Sequence, residues 1–211
     1  MERALYARAF GLPTERFDFI RWAVSQPKVD QLGIPLQSGL YVAAIGGNGR
    51  DYHTLLNAAR ILPHIQFVLV VRPESIRELD VPSNVIAYQN LPPGLAMNVL
   101  FYSRFMVLPI ADVGIPAGHV TLIAAMHLGK ASIATDCPGL RDYVLDGQNA
   151  LTIQIASVSD LVAKIDLLWQ HHELCIELGE SARCFAIREC TEDRVTQHFQ
   201  NWLIGKGILL D

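Results

Sequence analysis

Short apolar runs alternate with polar and glycine-rich segments along most of this chain. Apolar runs of four or five residues fit strands of a parallel sheet that is covered on both faces. They predict strands at Tyr41 to Ile45, Phe67 to Val71, Val85 to Tyr88, Phe105 to Leu108, Ser132 to Thr135 and Ala150 to Ile153, with an earlier candidate at Phe17 to Ile20.

Longer segments between these runs predict helices. They lie at residues 51–62, 95–103 and 120–128 and within the first fifteen residues, and the C-terminal tail adds helices at 159–169, 171–187 and 192–203. Ser159 and Thr191 are the candidate N-caps in the tail. Strands that alternate with helices imply right-handed crossovers. The predicted fold is therefore α/β: a Rossmann-like open parallel β-sheet with helices on both faces and a helical C-terminal tail.

The pattern also divides the chain into three parts. Residues 1–40 are expected to hold an N-terminal helix, a strand and a linker that belong to a domain junction. Residues 41–158 form the predicted Rossmann-like core, and residues 159–211 form helices that pack on the same domain.

Composition narrows the function classes. With 51% hydrophobic and 18% charged residues, the 211 residues can fill one large domain core. A net charge of −4 without a basic run argues against nucleic-acid binding. The apolar stretches are too interrupted for a transmembrane segment, and the first residues lack the apolar core of a signal peptide. The four cysteines have neither paired nor zinc-type spacing, which favours reduced thiols and a cytoplasmic protein, with attachment to the inner face of the membrane left open.

The stretch from Val107 to Tyr143 is the centre of the predicted core. It reads as strand, loop, helix, strand and turn, and Gly118 opens its helix. A glycine-bearing loop that enters a helix presents free amides and the positive end of the helix dipole, which favours an anion such as a phosphate. From spacing alone, an ordinary α/β turn is the favoured interpretation of the stretch.

A second glycine-rich loop has similar potential. Residues 46–51, Gly-Gly-Asn-Gly-Arg-Asp, follow a predicted strand and open a helix, so their backbone can hold a phosphate with Arg50 as the counter-charge. The loop is neither G-x-G-x-x-G nor a Walker loop, and a simple turn fits it equally well. His119 could donate a hydrogen bond to an oxyanion, although a surface or capping role is more common for such a residue.

Two further groups could carry chemistry. Asp136 and Asp142 could act as an acid–base pair, but the favoured interpretation is that Asp142 starts a helix or pairs with Arg141. His171 and His172 begin a solvated helix far along the chain from the expected cleft, and no metal is assigned to them.

Several ordered blocks then carry a family resemblance. They read Gly-Arg-Asp-Tyr-x-Thr-Leu-Leu-x-Ala from Gly49, Asn-Val at 84–85, Val-Leu-Pro at 107–109, Thr-Leu-Ile-x-Ala-Met-x-Leu-Gly-Lys from Thr121, Ala-Thr-Asp-x-Pro-Gly from Ala134, and Asp-Tyr-Val-x-Asp-Gly-x-Asn from Asp142. Together they resemble the C-terminal, nucleotide-sugar-binding domain of group 1 retaining glycosyltransferases over residues 15 to 204. These enzymes have the GT-B architecture of two facing Rossmann-like domains, so the chain resembles a single half.

The resemblance implies a donor site. Arg50 stands where the family usually has a diphosphate-binding Lys, and the family's preceding Arg has no counterpart in this chain. The implied diphosphate-binding residues are Gly46, Gly47, Arg50, Gly118, His119, Val120 and Thr121. The implied base and ribose contacts are Arg72, Gln89, Asn90, Leu91 and Ala124. No metal or other cofactor is expected besides the nucleotide-sugar substrate.

The family's Glu-x7-Glu motif is missing. Its second Glu corresponds to Ala124 and its first to Pro116, and neither side chain offers a carboxylate's acceptor oxygens. Asp112 is a candidate substitute from the same loop. The possible sugar contacts are therefore Asp112, Pro116 and Ala117.

The resemblance supports two hypotheses. In the first, the chain is the donor half of a retaining enzyme that moves a hexose from a UDP- or GDP-sugar to a glycan, lipid or small acceptor. An N-terminal acceptor domain or a partner chain would then complete the site, because catalysis requires both reactants to be positioned, and this chain alone should show little transfer. In the second, the loss of both carboxylates marks an inactive nucleotide-binding or interaction module. A sugar-nucleotide epimerase is a weaker third option, since its acidic and histidine residues are not visible.

Overall fold

A six-stranded parallel sheet forms the centre of the molecule, in the order β3-β2-β1-β4-β5-β6. The computed structural model describes residues 2–28, 33–112, 114 and 116–208. The strands are β1 Tyr41–Ile45, β2 Gln66–Val71, β3 Val85–Gln89, β4 Phe105–Leu108, β5 Ser132–Thr135 and β6 Leu151–Ile153. This order is that of a Rossmann-like fold, as the sequence pattern predicted.

Helices connect the strands and follow them. They are α1 Glu2–Phe10, α2 Tyr52–Ile61, α3 Pro93–Tyr102, α4 His119–His127, α5 Val158–Gln170, α6 His172–Glu189 and α7 Glu192–Gly205. Asp51 caps α2, since its carboxylate accepts from the amide of Thr54 at 2.9 Å. No helix of the described residues is long and apolar enough to cross a bilayer.

Successive residues of the strands pack alternately into two apolar cores, one on each face of the sheet. In β1, Tyr41 and Ala43 point to the core that contains α3 and α4, whereas Val42 and Ala44 point to the core that contains α2 and α5. Strands covered in this way are buried on both faces, which explains why they read as continuous apolar runs.

Two local predictions are wrong. Phe17 to Ile20 do not form a strand. The residues that follow them bind a turn and a helix end instead of a sheet edge: the amide of Trp22 donates to the Tyr143 hydroxyl, and the amide of Val24 donates to the carbonyl of Cys190. The N-cap of α5 is Ser157 and not Ser159, since the Ser157 hydroxyl accepts from the amide of Asp160.

The C-terminal helices differ in how they pack. Helix α5 packs on α2, and α6 packs on α4. Helix α7 begins at the predicted N-cap Thr191, whose hydroxyl accepts from the amide of Arg194, and it has no buried residue.

Candidate functional site

Two loops meet at the carboxyl edge of the sheet, at the point where the strand order reverses. One follows β1 and the other follows β4, which is the neighbour of β1. The amide of Asp51 donates to the carbonyl of Pro109, and the amide of Ala111 donates to the carbonyl of Gly49, both at 3.0 Å. Ligands of open α/β sheets bind at such a reversal, so the two loops form the natural floor of a site.

A cleft of about 1150 Å³ opens above these loops. This volume is slightly above the range of roughly 300–1,000 Å³ that is typical of small-molecule sites. Its lining comes from the two loops, the start of α4, the turn after β5 and the N-terminal segment. The lining residues are Arg3, Tyr6, Phe19, Ile20, Trp22, Gly47, Asn48, Gly49, Arg50, Arg72, Asp112, Pro116, Ala117, Gly118, His119, Val120, Thr121, Pro138, Gly139, Asp142 and Tyr143.

Arg50 is a partly buried cation at the floor of the cleft. Its Nη1 donates to the carbonyl of Asn48 at 3.0 Å, and its Nε donates to the carbonyl of Ile45 at 3.3 Å. Its Nη2 lies 3.4 Å from the hydroxyl of Thr121 in α4. Burial lowers the pKa of this guanidinium, although an arginine stays charged at any physiological pH. Within the described chain, Arg50 has no carboxylate partner, so its charge is available to an anion.

The glycines of the first loop let the chain pack against the arginines. Gly46 has φ +125°, and a Cβ at this position would lie 2.6 Å from Nη2 of Arg50. A Cβ on Gly47 would lie 2.7 Å from the aliphatic stem of Arg72. The Tyr52 hydroxyl donates to the carbonyl of Gly46 and fixes this turn from below. A side chain at either glycine would therefore displace a cation.

The N-terminus of α4 faces the same cleft without a side-chain cap. Gly118 precedes the helix with φ +93°, and a Cβ there would lie 3.0 Å from a methyl group of Leu108. Among the described residues, the amides of Gly118 to Thr121 find no hydrogen-bond acceptor. Free amides and the helix dipole favour a negative charge at this point.

His119 is oriented by the turn after β5. Its Nε2 lies 2.8 Å from the carbonyl oxygen of Gly139. Its ring packs edge-on against the ring of Tyr143, with 5.0 Å between the two ring centroids. A carbonyl accepts hydrogen bonds only, so Nε2 carries the proton. Nδ1 of a neutral His119 is then an acceptor, and only the protonated ring could donate from Nδ1 to an anion.

Two carboxylates line the cleft. Asp112, the predicted substitute, lines the cleft, and its Oδ1 accepts from the amide of Gly114 at 2.8 Å. Asp142 also lines the cleft, but it neither starts a helix nor pairs with Arg141, so that prediction is wrong. Arg141 binds Asp136 instead, at 2.9 and 3.1 Å, and this hydrogen-bonded pairing lowers the pKa of Asp136.

The cleft gathers most of the predicted site residues but not all of them. Arg72 lines it beside Gly47, as do Pro116 and Ala117 of the second loop. The predicted residues outside the lining are Gly46, Gln89, Asn90, Leu91 and Ala124. Ala124 lies on the core-facing side of α4 and is 2% exposed, which does not support a ribose contact at this position.

Gln89 to Leu91 lie at the same edge of the sheet, farther from the cleft floor. Gln89 is the last residue of β3, which is two strands away from β1, and Asn90 and Leu91 follow it. Two strand spacings amount to about 10 Å. The amide of Asn90 donates to the carbonyl of Val71, so this segment closes the carboxyl end of the outer strands.

Sequence reasoning missed the N-terminal wall of the cleft. Arg3, Tyr6, Phe19 and Trp22 line it from residues 1–40, for which the sequence predicts a helix, a strand and a linker at a domain junction. The sequence does contain a signal for this wall. The segment carries several aromatic residues, and no strand is available to cover them.

Metal ligands do not cluster in the described part of the chain, where no three His, Cys, Asp or Glu side chains could share an ion. Cys137, Cys175 and Cys190 are buried as free thiols. Burial raises the pKa of Cys190 to about 11, which makes it a weak nucleophile at neutral pH.

Comparison with known proteins finds one family model and a curated relative. The model of the family "Glycosyl transferases group 1" matches residues 40–185. A curated relative, the putative glycosyltransferase EpsD of Bacillus subtilis (strain 168), is 29% identical over 112 residues, which are 48% of this chain and 29% of EpsD.

Solved structures share the fold across nearly the whole chain. A glycosyltransferase from Rickettsia africae ESF-5 has a TM-score of 0.75 at 15% identity, over 100% of this chain and 62% of that one. HepE of Anabaena in complex with UDP-glucose has a TM-score of 0.79 at 14% identity, over 96% and 61%. Sucrose-phosphate synthase from Thermosynechococcus elongatus has a TM-score of 0.77 at 17% identity, over 98% and 57%. This chain therefore spans less than two thirds of each of these proteins.

Proposed function

Because this chain belongs to the group 1 glycosyltransferase family, we propose that its cleft binds the diphosphate of a nucleotide sugar, the donor in hexosyl transfer. One observation carries the proposal. An unpaired, partly buried guanidinium at Arg50 and the uncapped start of α4 face one cleft, at the reversal point of a parallel sheet.

Three parts of the site would contact the diphosphate. Arg50 supplies a fixed positive charge, and the amides from Gly118 to Val120 supply donors that no described residue uses. Gly46 and Gly47 keep the loop close to the arginines, so a phosphate can approach backbone as well as side chain. Charge-assisted hydrogen bonds of this kind are about twice as strong as neutral ones.

The nucleoside is proposed to extend from the diphosphate toward β2 and β3. Arg72, whose stem lies against Gly47, would flank the nucleoside. Gln89 to Leu91 would lie at its far end, two strand spacings or about 10 Å from β1. UDP is the first choice of nucleotide, since HepE was solved with UDP-glucose, and GDP is the second.

The same groups would assist the chemistry. When the bond between the sugar and the diphosphate breaks, negative charge develops on the leaving phosphate oxygen. Arg50 and the α4 amides are preorganised at that position, and such groups stabilise charge without reorganising during the reaction. A retaining, metal-independent transfer in which the leaving diphosphate assists the acceptor is the mechanism we propose.

The acceptor side requires a facing domain or a partner chain. Residues 41–158 would form the donor-binding core, residues 1–40 the junction with the acceptor side and residues 159–211 the supporting helices. This chain spans 62% of the Rickettsia africae structure and 61% of the HepE structure, which is consistent with that division. A cytoplasmic enzyme acting on a glycan, lipid or small acceptor is the corresponding proposal for the whole protein.

A second candidate function is a nucleotide-binding module without transfer activity. The observation that favours it is the absence of both motif carboxylates, with Pro116 on the cleft wall and Ala124 buried on the core-facing side of α4. This module would bind the nucleotide as tightly as its sugar conjugate, because nothing would recognise the sugar.

Calorimetric titration of the purified chain tests the proposal. UDP, GDP and their hexose conjugates are titrated into the wild type and into Arg50→Ala. Binding of a nucleotide that the variant weakens supports a donor site. No binding of any of them at millimolar concentration, a free energy weaker than about −4 kcal/mol, would rule it out.

A further inference from the structure

The N-terminal segment is fastened to the turn after β5 by two consecutive residues. Arg21 Nε donates to the carbonyl of Asp142 at 3.1 Å, and the amide of Trp22 donates to the hydroxyl of Tyr143 at 2.8 Å. Arg21 also forms an ion pair with Glu189 at the end of α6, at 3.2 Å. These contacts bring residues 121 positions apart in sequence to one end of the cleft.

The turn that receives this segment is itself fixed to the donor site. Tyr143 is buried and packs edge-on against His119, which binds the carbonyl of Gly139. A Cβ on Gly139 would lie 3.4 Å from Cα of Pro116. The turn therefore lies against the position where the family motif has its first carboxylate.

Two side chains remain unused at this end. Trp22 lines the cleft and is 57% exposed, although its backbone amide is bound to Tyr143. Asp142 lines the cleft beside it, and among the described residues its carboxylate has neither a hydrogen bond nor an ion pair. An aromatic face packs on the C–H face of a pyranose, and a carboxylate accepts hydrogen bonds from sugar hydroxyls.

We propose that Trp22 and Asp142 form a sugar-binding subsite, in which Asp142 supplies the carboxylate that the motif positions Pro116 and Ala124 lack. This inference rests on the proposed donor site in one respect. The diphosphate bound there would be the neighbour of the subsite, on the other side of His119. The ligand is a pyranose, which could be the hexose of the donor or a sugar unit of the acceptor.

The test compares Asp142→Asn with Asp136→Asn. Asp136 lies on the same turn and is exposed, but it is outside the cleft lining and pairs with Arg141. Each protein is titrated with UDP, with UDP-glucose and UDP-galactose, and with methyl glucoside and methyl galactoside in the presence and absence of UDP. Fluorescence of Trp22, isolated against a Trp22→Phe variant, reports the subsite directly.

Asp142→Asn should leave UDP binding unchanged. It should reduce the affinity for the sugar by about 10- to 150-fold, the factor for a charge-assisted hydrogen bond, while Asp136→Asn has no effect. A loss confined to the UDP-hexoses identifies the donor hexose. A loss confined to the methyl glycosides identifies an acceptor sugar, and either result supports the subsite.

The subsite and the donor site fail in different ways. If UDP binds but Asp142→Asn and Trp22→Phe change no sugar affinity and no sugar-dependent fluorescence, the subsite is refuted and the donor site stands. If no nucleotide binds, the donor site is refuted. The titrations with methyl glycosides then test the subsite by themselves. If no methyl glycoside quenches the fluorescence of Trp22, the subsite is refuted as well.

Discussion

Replacing Arg50 should separate the charge of the donor site from its architecture. Two variants are informative: Arg50→Ala removes the charge and the three contacts with Ile45, Asn48 and Thr121, whereas Arg50→Lys keeps the charge and loses the planar fork. Only the contact with the Asn48 carbonyl, at 3.0 Å, has the length of a good hydrogen bond; those with Ile45 and Thr121 are 3.3 and 3.4 Å. The loss of stability in the absence of ligand should therefore be small, about 1 kcal/mol.

The loss of UDP affinity should be larger. A charge-assisted hydrogen bond contributes about 1.5–3 kcal/mol, so Arg50→Ala should weaken UDP binding by about 10- to 150-fold. Arg50→Lys should lose less than tenfold, because an ammonium at the same place still meets a phosphate as a point charge. The affinity of the wild type should also fall with added salt, as expected for a partly exposed charge pair.

The assay is titration calorimetry with UDP, combined with thermal unfolding of each variant without ligand. Arg60→Ala is the matched control, because it removes the same charge near the far end of α2, where Arg60 pairs with Asp80. Unchanged UDP binding in Arg50→Ala would refute the role of the charge. Equal losses in the alanine and lysine variants would refute it too, since the arginine would then act only as a brace for the loop.

Three other substitutions test separate parts of the structure. Gly118→Ala should destabilise the fold by about 1–2 kcal/mol and weaken UDP binding, because φ is +93° there; unchanged thermal unfolding would contradict the backbone geometry. Asp51→Ala should cost about 1 kcal/mol through the lost cap of α2, seen in denaturant unfolding, and no loss would mean that the cap is not formed in solution. Asp136 has a pKa lowered mainly by its hydrogen bond with Arg141, so its contribution to stability is present at neutral pH and is lost as the pH falls through the lowered pKa. Arg141→Ala should raise the Asp136 pKa toward its usual value of about 4, measured by NMR titration; an unchanged pKa would contradict the pairing.

The sheet was predictable from the sequence because its strands are buried on both faces. Tyr41 to Ile45 and Phe105 to Leu108 are apolar throughout, and the structure has strands with the same bounds. Phe17 to Ile20 are apolar except for Asp18, yet they form no strand. Whether an apolar run joins a sheet depends on a free neighbouring edge, which the local sequence does not contain.

The floor of the site was predictable for a topological reason. The loops after β1 and β4 leave adjacent parallel strands at the same edge, so Arg50 and Gly118 meet once the strand order is known. The Trp22 and Asp142 end of the cleft was not predictable. It depends on contacts across 121 residues, and the two side chains carry no local pattern that connects them.

The central claim is that a nucleotide diphosphate binds between the two loops, and amide chemical shifts measured during a UDP titration test it most directly. The account predicts that the largest shifts lie at residues 46–50 and 118–121, with the Arg50 side-chain Nε resonance moving along with them. Shifts that cluster at another surface, or saturating UDP without any shift in these two loops, would contradict the account.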